Sequence, residues 1–333
     1  MSWPVEILKA VGLAVLMFTF LAVVAAMFGV LLERKVGGWI QSRLGPKHVG
    51  PQGLFQTLAD TVKLLQKEHI APRAADLAIF NTAPLIVAVA GLMSWIVIPF
   101  GTLGNRVLVV RDLNIGILFF AGMASMTVVG ILAGGWSSNN KYSLLGGLRS
   151  ASQMVSYELP LGVALVAVAM EAGTLSTVGI VQAQGGWLGS FLFRQFPAFV
   201  IFLIAATAEV NRVPFDLPEA ESELVAGYFS EYTGMRFALF QLGEYAEMFG
   251  MAAMATTLFL GGWKGPFDTV AGGRFAFPVA WFLIKMYLVV FFLMWVRWTY
   301  PRYRLDQLLN LSWKVLLPAG LVWILITGYR ITF

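Results

Sequence analysis

Apolar residues run through this chain in long blocks separated by polar loops. Seven uninterrupted runs stand out, at about Ile7 to Leu32, Leu77 to Phe100, Ile115 to Ala133, Ser152 to Met170, Phe240 to Leu260, Phe277 to Val296 and Val315 to Ile331. A helix rises 1.5 Å per residue, so roughly 20 residues cross a hydrocarbon core of about 30 Å, and each run predicts a membrane-spanning helix. An eighth stretch, Trp187 to Val210, carries Arg194 and Pro197 and predicts a short or tilted span. The first run is followed directly by Glu33-Arg34-Lys35 and shows no small-residue cleavage site, so it reads as a retained helix and not a signal peptide.

The first loop carries a different period. Leu54, Phe55, Leu58, Val62 and Leu65 recur at helical spacing while Asp60, Lys63 and Lys67 fall on other faces. This predicts an amphipathic helix lying in the membrane plane, as a lipid anchor or as one wall of an entrance for a lipid-soluble substrate. Spacing by itself favours the anchor.

Composition removes the soluble alternative: 58% of the 333 residues are hydrophobic and 12% charged, against about a quarter charged in soluble domains. The expected fold is an all-α integral membrane protein of about eight transmembrane helices plus the interfacial helix, with long cytoplasmic loops. Without repeats or a Pro/Gly-rich linker, it reads as a single polytopic domain, 1–333.

Charge sets the orientation. The first, third, fifth and seventh loops hold 15 of the 23 Lys and Arg, while the termini and the even loops hold 7. The positive-inside rule then puts the odd loops in the cytoplasm and both termini outside, with a bacterial cell inner (plasma) membrane as the expected location. The first cytoplasmic loop, 33–76, has seven basic against four acidic residues, whereas the acidic loop, 209–239, has two against six. Lipid-surface attraction suits the first loop and not the second.

Cysteine is absent, and the two histidines, His48 and His69, share the first loop. Thiolate ligation of iron–sulfur clusters and bis-histidine haem within the membrane are therefore excluded for this chain, and electron chemistry has to use a centre in another one.

Ionisable side chains within spans are costly and are functional suspects for that reason. Glu158 lies near the start of the fourth span, Glu209 near the end of the fifth, and Glu244 and Glu247 three residues apart in the first turns of the sixth. Glu209 also opens the loop holding Asp216, Glu219, Glu221 and Glu223. Carboxyl groups held away from water beside one another exchange protons near neutral pH, so these eight are candidates for a proton path. Each taken alone also fits an arginine partner or a helix cap. Lys285, in the seventh span, either snorkels or continues the path.

The loops carry a resemblance. Glu33-Arg34-Lys35, Gln41 through Pro46, Val49-Gly50-Pro51, Gln56, Ala59-Asp60 and Lys63 through Glu68 resemble the first loop of the NuoH family, the H-type membrane component of proton-pumping NADH:quinone oxidoreductase, respiratory complex I. Lys141 through Ser150 with Ser156-Tyr157-Glu158-Leu159, Glu209 through Glu221 with Glu223 through Tyr228, and Arg297 with Pro301 through Arg304 resemble later blocks of that family, so the likeness covers nearly the whole chain.

The resemblance implies a subunit at the heel of the membrane arm that docks the peripheral arm and shapes the lower quinone chamber. Arg34, Gln41, Arg43, Asp60, Lys63, Arg149, Arg212 and Phe215 are the candidate chamber and docking residues. Arg34, Arg43 and Arg149 have two readings, pairing with the acidic loop or binding anionic intermediates, and structural pairing is the favoured one for each. Implied partners are peripheral iron–sulfur and quinone-site subunits, small and antiporter-like membrane subunits, quinone and membrane lipids, but no nucleic acid. No cofactor is expected on this chain; quinone is the substrate, and FMN and iron–sulfur clusters belong to partners.

Rival readings keep the fold: the membrane subunit of an energy-converting hydrogenase or ferredoxin-fed complex, a stand-alone proton-coupled transporter, or a passive anchor.

Overall fold

A computed structural model of the chain describes residues 27–103, 106–185, 189–218, 225–265 and 277–333. The first apolar run lies outside the described residues except for its last few. From there the order is α1 (Gly29–Ile40), α2 (Gln56–Gln66), α3 (Leu77–Met93), a hairpin of β1 (Gly101–Leu103) and β2 (Arg106–Leu108), and α4 (Gly116–Ser137). There follow α5 (Lys141–Ala172), α6 (Thr177–Ala183), α7 (Phe191–Arg194), α8 (Phe196–Glu209), α9 (Met235–Leu258), α10 (Phe277–Thr299), α11 (Leu305–Leu311) and α12 (Leu317–Thr332). Among the described residues, five helical stretches are long and apolar enough to cross a membrane: Leu77–Val97, Gly116–Ser137, Lys141–Ala172, Phe277–Thr299 and Leu305–Thr332. The chain is thus an all-α membrane protein.

Helix starts follow side-chain chemistry. Asp76 accepts from the Ala78 N–H, Asn140 from Tyr142 and Ser176 from Gly179, each satisfying an otherwise orphaned first-turn donor. Helix α5 ends where Gly173 takes φ 68°, a conformation that costs glycine nothing.

Several boundaries differ from those read from hydropathy. Helix α5 begins at Lys141 and absorbs the whole third-loop block, because Asn140 caps it there and polar Ser143, Ser150 and Gln153 are buried against neighbours. Helix α9 begins at Met235, so Glu244 and Glu247 sit near its middle and not in its first turns. The eighth stretch is two helices broken at Gln195, whose side chain is tied to Glu171 and Trp323.

Proline inside α5 creates a need that a distant residue meets. Pro160 has no N–H for the Ser156 carbonyl, and Ser312 Oγ donates to that carbonyl at 2.6 Å. Ser312 opens a π-helical segment, Ser312–Leu316, joining α11 to α12.

Helix α9 packs against several neighbours. On one side Trp95, after α3, donates its indole N–H to the Ala246 carbonyl at 3.0 Å. On the same side the helices cross at glycines: a Cβ on Gly243 would stand 2.9 Å from the Val87 carbonyl oxygen, and one on Gly91 would stand 2.9 Å from the Gly243 carbonyl oxygen. Gly243→Ala is therefore expected to lower stability by about 1–3 kcal/mol through overpacking. Gly122→Ala on α4, where a Cβ meets nothing within 4 Å, should leave stability unchanged or raised. Thermal unfolding of both variants in detergent tests the contrast, and equal midpoints would show that the crossing relaxes freely.

Lys285, on α10, is held by backbone carbonyls just beyond the end of α9. Its ammonium donates to the carbonyls of Leu260, Gly262 and Lys264 at 2.6, 3.1 and 2.6 Å, where cationic charge complements the C-terminal end of α9.

Two apolar cores flank α9. The larger contains Trp95, Phe120, Tyr157, Phe202, Phe249 and Phe282. The smaller, around Phe80, Tyr228, Tyr232 and Phe240, pins the end of the acidic loop, with Tyr232 stacked on Phe80 at 4.1 Å between centroids.

The predicted amphipathic helix is α2. Leu58, Val62 and Leu65 are exposed along one face and Lys63 extends outwards, as suits a helix lying at a lipid surface.

Candidate functional site

Distant parts of the chain meet at Arg212. This residue follows α8 in a turn where Asn211 takes φ 52°. Its Nη1 donates to both carboxyl oxygens of Glu33, on α1, at 3.0 and 3.2 Å. Its Nε stands 2.9 Å from Oε1 of Glu244, on α9. The Tyr245 hydroxyl donates to Glu33 Oε2 at 2.6 Å, and the Arg212 guanidinium lies over the Tyr245 ring, 4.6 Å from its centroid. Arg297, near the end of α10, also donates to Glu33. Glu33 and Arg212 are 5% and 6% exposed. At that depth one uncompensated ion costs several kcal/mol, so the pairing holds its members in place.

The turn carrying Arg212 is clamped from α5. Gln153, fully buried, directs its amide N–H2 at the carbonyls of Ala208 and Phe215, both 2.7 Å away, and at Asn211 Oδ1, 3.1 Å away. Asn211 Nδ2 in turn donates to Ser150 Oγ at 3.2 Å. Phe215 packs between Tyr157 and Tyr303, at 5.5 and 5.8 Å between centroids, and Asp216 accepts from Arg302 at 3.0 Å.

Behind this network lie the other carboxyl groups. Glu209 is buried at the end of α8. Glu158 on α5 accepts from Ser125 of α4, and Glu247 Oε1 lies 3.5 Å from Thr127 Oγ1. They are close enough to act on one another electrostatically: Glu158 on Glu209, Glu209 and Glu244 on Glu247, and Asp216 on Glu244. The sequence-predicted carboxylates Glu158, Glu209, Asp216, Glu244 and Glu247 are therefore brought together. Glu219, Glu221 and Glu223 lie outside the described residues.

In front of the network is a cavity of about 190 Å³ whose wall includes Val30, Arg34, Asp60, Leu64, Gln241 and Tyr245. Tyr245 belongs to both: it lines the cavity, and its hydroxyl donates to Glu33. Of the first-loop candidates, Arg34 and Asp60 line this opening, and Arg43 lines a neighbouring one. Arg34 bonds Asp60 at 2.6 Å, Lys63 lies 3.9 Å from Asp60, and Arg43 Nε donates to Gln41 Oε1 at 2.6 Å. Arg34 thus has a carboxylate partner within the first loop. Arg149 is half-buried on α5, beside Ser150.

The candidates drawn from the sequence omit Glu33, Tyr245, Gln153, Arg297 and Arg302. Glu33 reads as the polar edge of a loop, yet a carboxylate directly continuing an apolar run was a usable signal. Tyr245 and Gln153 carry no such mark, since their roles depend on partners 212 and 55 residues away.

Fold and site together define a class: an all-helical membrane protein in which a cavity abuts a charged network at Arg212, with further carboxylates close by. The chain belongs to the NADH dehydrogenase family, whose profile matches residues 13–328. It is similar to the H subunit of NADH-quinone oxidoreductase from Geobacillus kaustophilus, 50% identical over 92% of this chain and 90% of the relative. The corresponding H subunit from Rhodospirillum rubrum is 46% identical over 99% and 96%, and that from Brevibacillus brevis 44% identical over 100% and 96%.

Proposed function

We propose that the chain works as the membrane subunit of an NADH-quinone oxidoreductase that joins quinone reduction to proton movement. In this reading a quinone reaches the cavity laterally between α1 and α2. Its isoprenoid tail lies along Val30 and Leu64, and its head meets a redox partner held by peripheral subunits on the first and acidic loops. Reduction takes two electrons from the partner's iron–sulfur chain, fed by FMN, and two protons, converting quinone to quinol. The proton demand or charge at the cavity is passed through Tyr245 and Glu33 to Arg212 and Glu244, and on to Glu247, Glu209 and Glu158. The chain binds quinone and moves charge, while partners hold the redox centres and antiporter-like subunits continue the path. The membrane is a bacterial plasma membrane, with the odd loops and the peripheral arm on the cytoplasmic side.

One observation carries the reading: Tyr245 is shared between the cavity wall and the charged network. A passive anchor needs neither a cavity nor a run of buried carboxylates leading away from it.

The test is Glu209→Gln and Glu158→Gln, which keep side-chain shape and remove the titrating charge. Material extracted in mild detergent should contain flavin and iron–sulfur subunits and show inhibitor-sensitive NADH:quinone activity. Each variant complex should assemble but lose most proton translocation in proteoliposomes, by about a hundredfold or more, the scale of a missing proton-transfer group. Full translocation in both variants would leave the anchor reading, and co-purification of a hydrogenase would change the electron donor.

A further inference from the structure

Helix α1 separates two hollows. Val30 and Arg34 face the cavity described above, whereas Phe28, Leu31, Leu32, Lys35 and Trp39 line a second groove of about 610 Å³ on the other side. Leu54 of the first loop and Phe291 of α10 complete its walls. We infer that this groove is a binding site for one anionic phospholipid, with the phosphate on Lys35 and the acyl chains along Phe28, Leu31, Leu32 and Phe291.

Three observations point to that ligand. The groove has the polarity of an amphiphile, being apolar along its length with its only cationic side chain, Lys35, at one end and no acidic residue in its lining. Lys35 is half-buried and makes no ion pair or hydrogen bond among the described residues, unlike its neighbour Arg34, which is paired to Asp60. An ammonium kept from full hydration beside apolar walls calls for an anion.

The dimensions agree. Phe28 and Lys35 are seven residues apart on one helix, roughly 10 Å along its axis, against about 15 Å for half of a hydrocarbon core. A phosphate on Lys35 therefore lets the chains descend beside Phe28 and Phe291. Trp39, 72% exposed at the same end, lies where indole rings favour the headgroup level. The exposed apolar stripe of Ile284, Leu288 and Phe291 continues the groove down α10. A neutral quinone would take only a hydrogen bond from the lysine and leave its charge uncompensated, and a polypeptide partner would require its backbone polar groups to be satisfied in an apolar groove.

The inference requires only that the chain spans a membrane, so it stands or falls separately from the proposed activity. The test uses the chain purified in mild detergent with whatever subunits accompany it, partly delipidated and given phosphatidylglycerol carrying a diazirine in one acyl chain. After illumination, adducts should map to peptides bearing residues 28–39 and Phe291. Excess unlabelled phosphatidylglycerol should compete, and phosphatidylcholine should compete about tenfold less well. Lys35→Gln should lower labelling about fivefold, the order expected for one basic residue against an anionic headgroup, and Lys35→Arg should restore it. Because Lys35→Arg keeps the charge, a loss confined to Lys35→Gln in equally assembled material cannot be a folding defect. Equal labelling by the two headgroups, indifference to Lys35→Gln, displacement by a quinone analogue, or cross-linking of a partner subunit at these residues would each overturn the assignment.

Discussion

Arg212→Met is expected to be among the most damaging single substitutions in this chain. Methionine fills much of the same space, but Glu244 then loses the cation at 2.9 Å, and Glu33 keeps only Arg297 and Tyr245. Breaking a buried ion pair from one side costs about 3–5 kcal/mol, because the remaining charge is neither hydrated nor paired. Thermal unfolding of the extracted complex should show this as a large drop in midpoint, and native gels as a loss of assembled material. The double variant Arg212→Met with Glu244→Gln should recover a substantial part, since it removes the stranded charge. That recovery separates electrostatics from a packing defect. Arg212→Lys is expected to fall between, because a point-like ammonium cannot serve Glu33 and Glu244 with the geometry of the guanidinium fork. An Arg212→Met complex of unchanged midpoint and activity would mean that the network does not hold the helices together.

Gln153→Leu should come second. Leucine matches the volume but removes the donors facing the carbonyls of Ala208 and Phe215. Each buried carbonyl left without a partner costs about 1–3 kcal/mol, so a total loss of about 2–5 kcal/mol is expected. The effect should be local first: amide exchange should rise in residues 208–217, which Gln153 ties to α5, while α3 and α4 stay protected. Because the same turn presents Glu209, Arg212 and Asp216, quinone reduction and proton translocation should fall together. Normal exchange in 208–217 would remove Gln153 from its clamping role.

These two residues show where sequence reasoning reached and where it stopped. Arg212 was legible as part of a motif block and as a cation in an acidic loop, although its partners were not. Gln153 was invisible, being a polar residue near the start of an apolar run that hydropathy placed at the membrane edge. Glu158, Glu209, Glu244 and Glu247 were legible because an ionisable residue within an apolar run is anomalous wherever its neighbours lie. Their depth was harder to read. Helix α9 starts at Met235 through contacts of Tyr228, Phe229 and Tyr232 with α3 and α4, which hydropathy does not register.

The amino-acid sequence by itself determined the membrane character, the helical class, the interfacial helix and the family, because each rests on the period of apolar residues or on contiguous motifs. Only the tertiary structure decided that Glu33 and Arg212, 179 residues apart, form one ion pair, that Tyr245 joins a cavity to it, and that Lys285 donates to backbone carbonyls beyond the end of α9. The physical reason is the same in each case. A span announces itself through local transfer free energy, whereas a buried charge is stabilised by whichever distant group the packing of helices brings within about 3 Å, and no local pattern records that meeting.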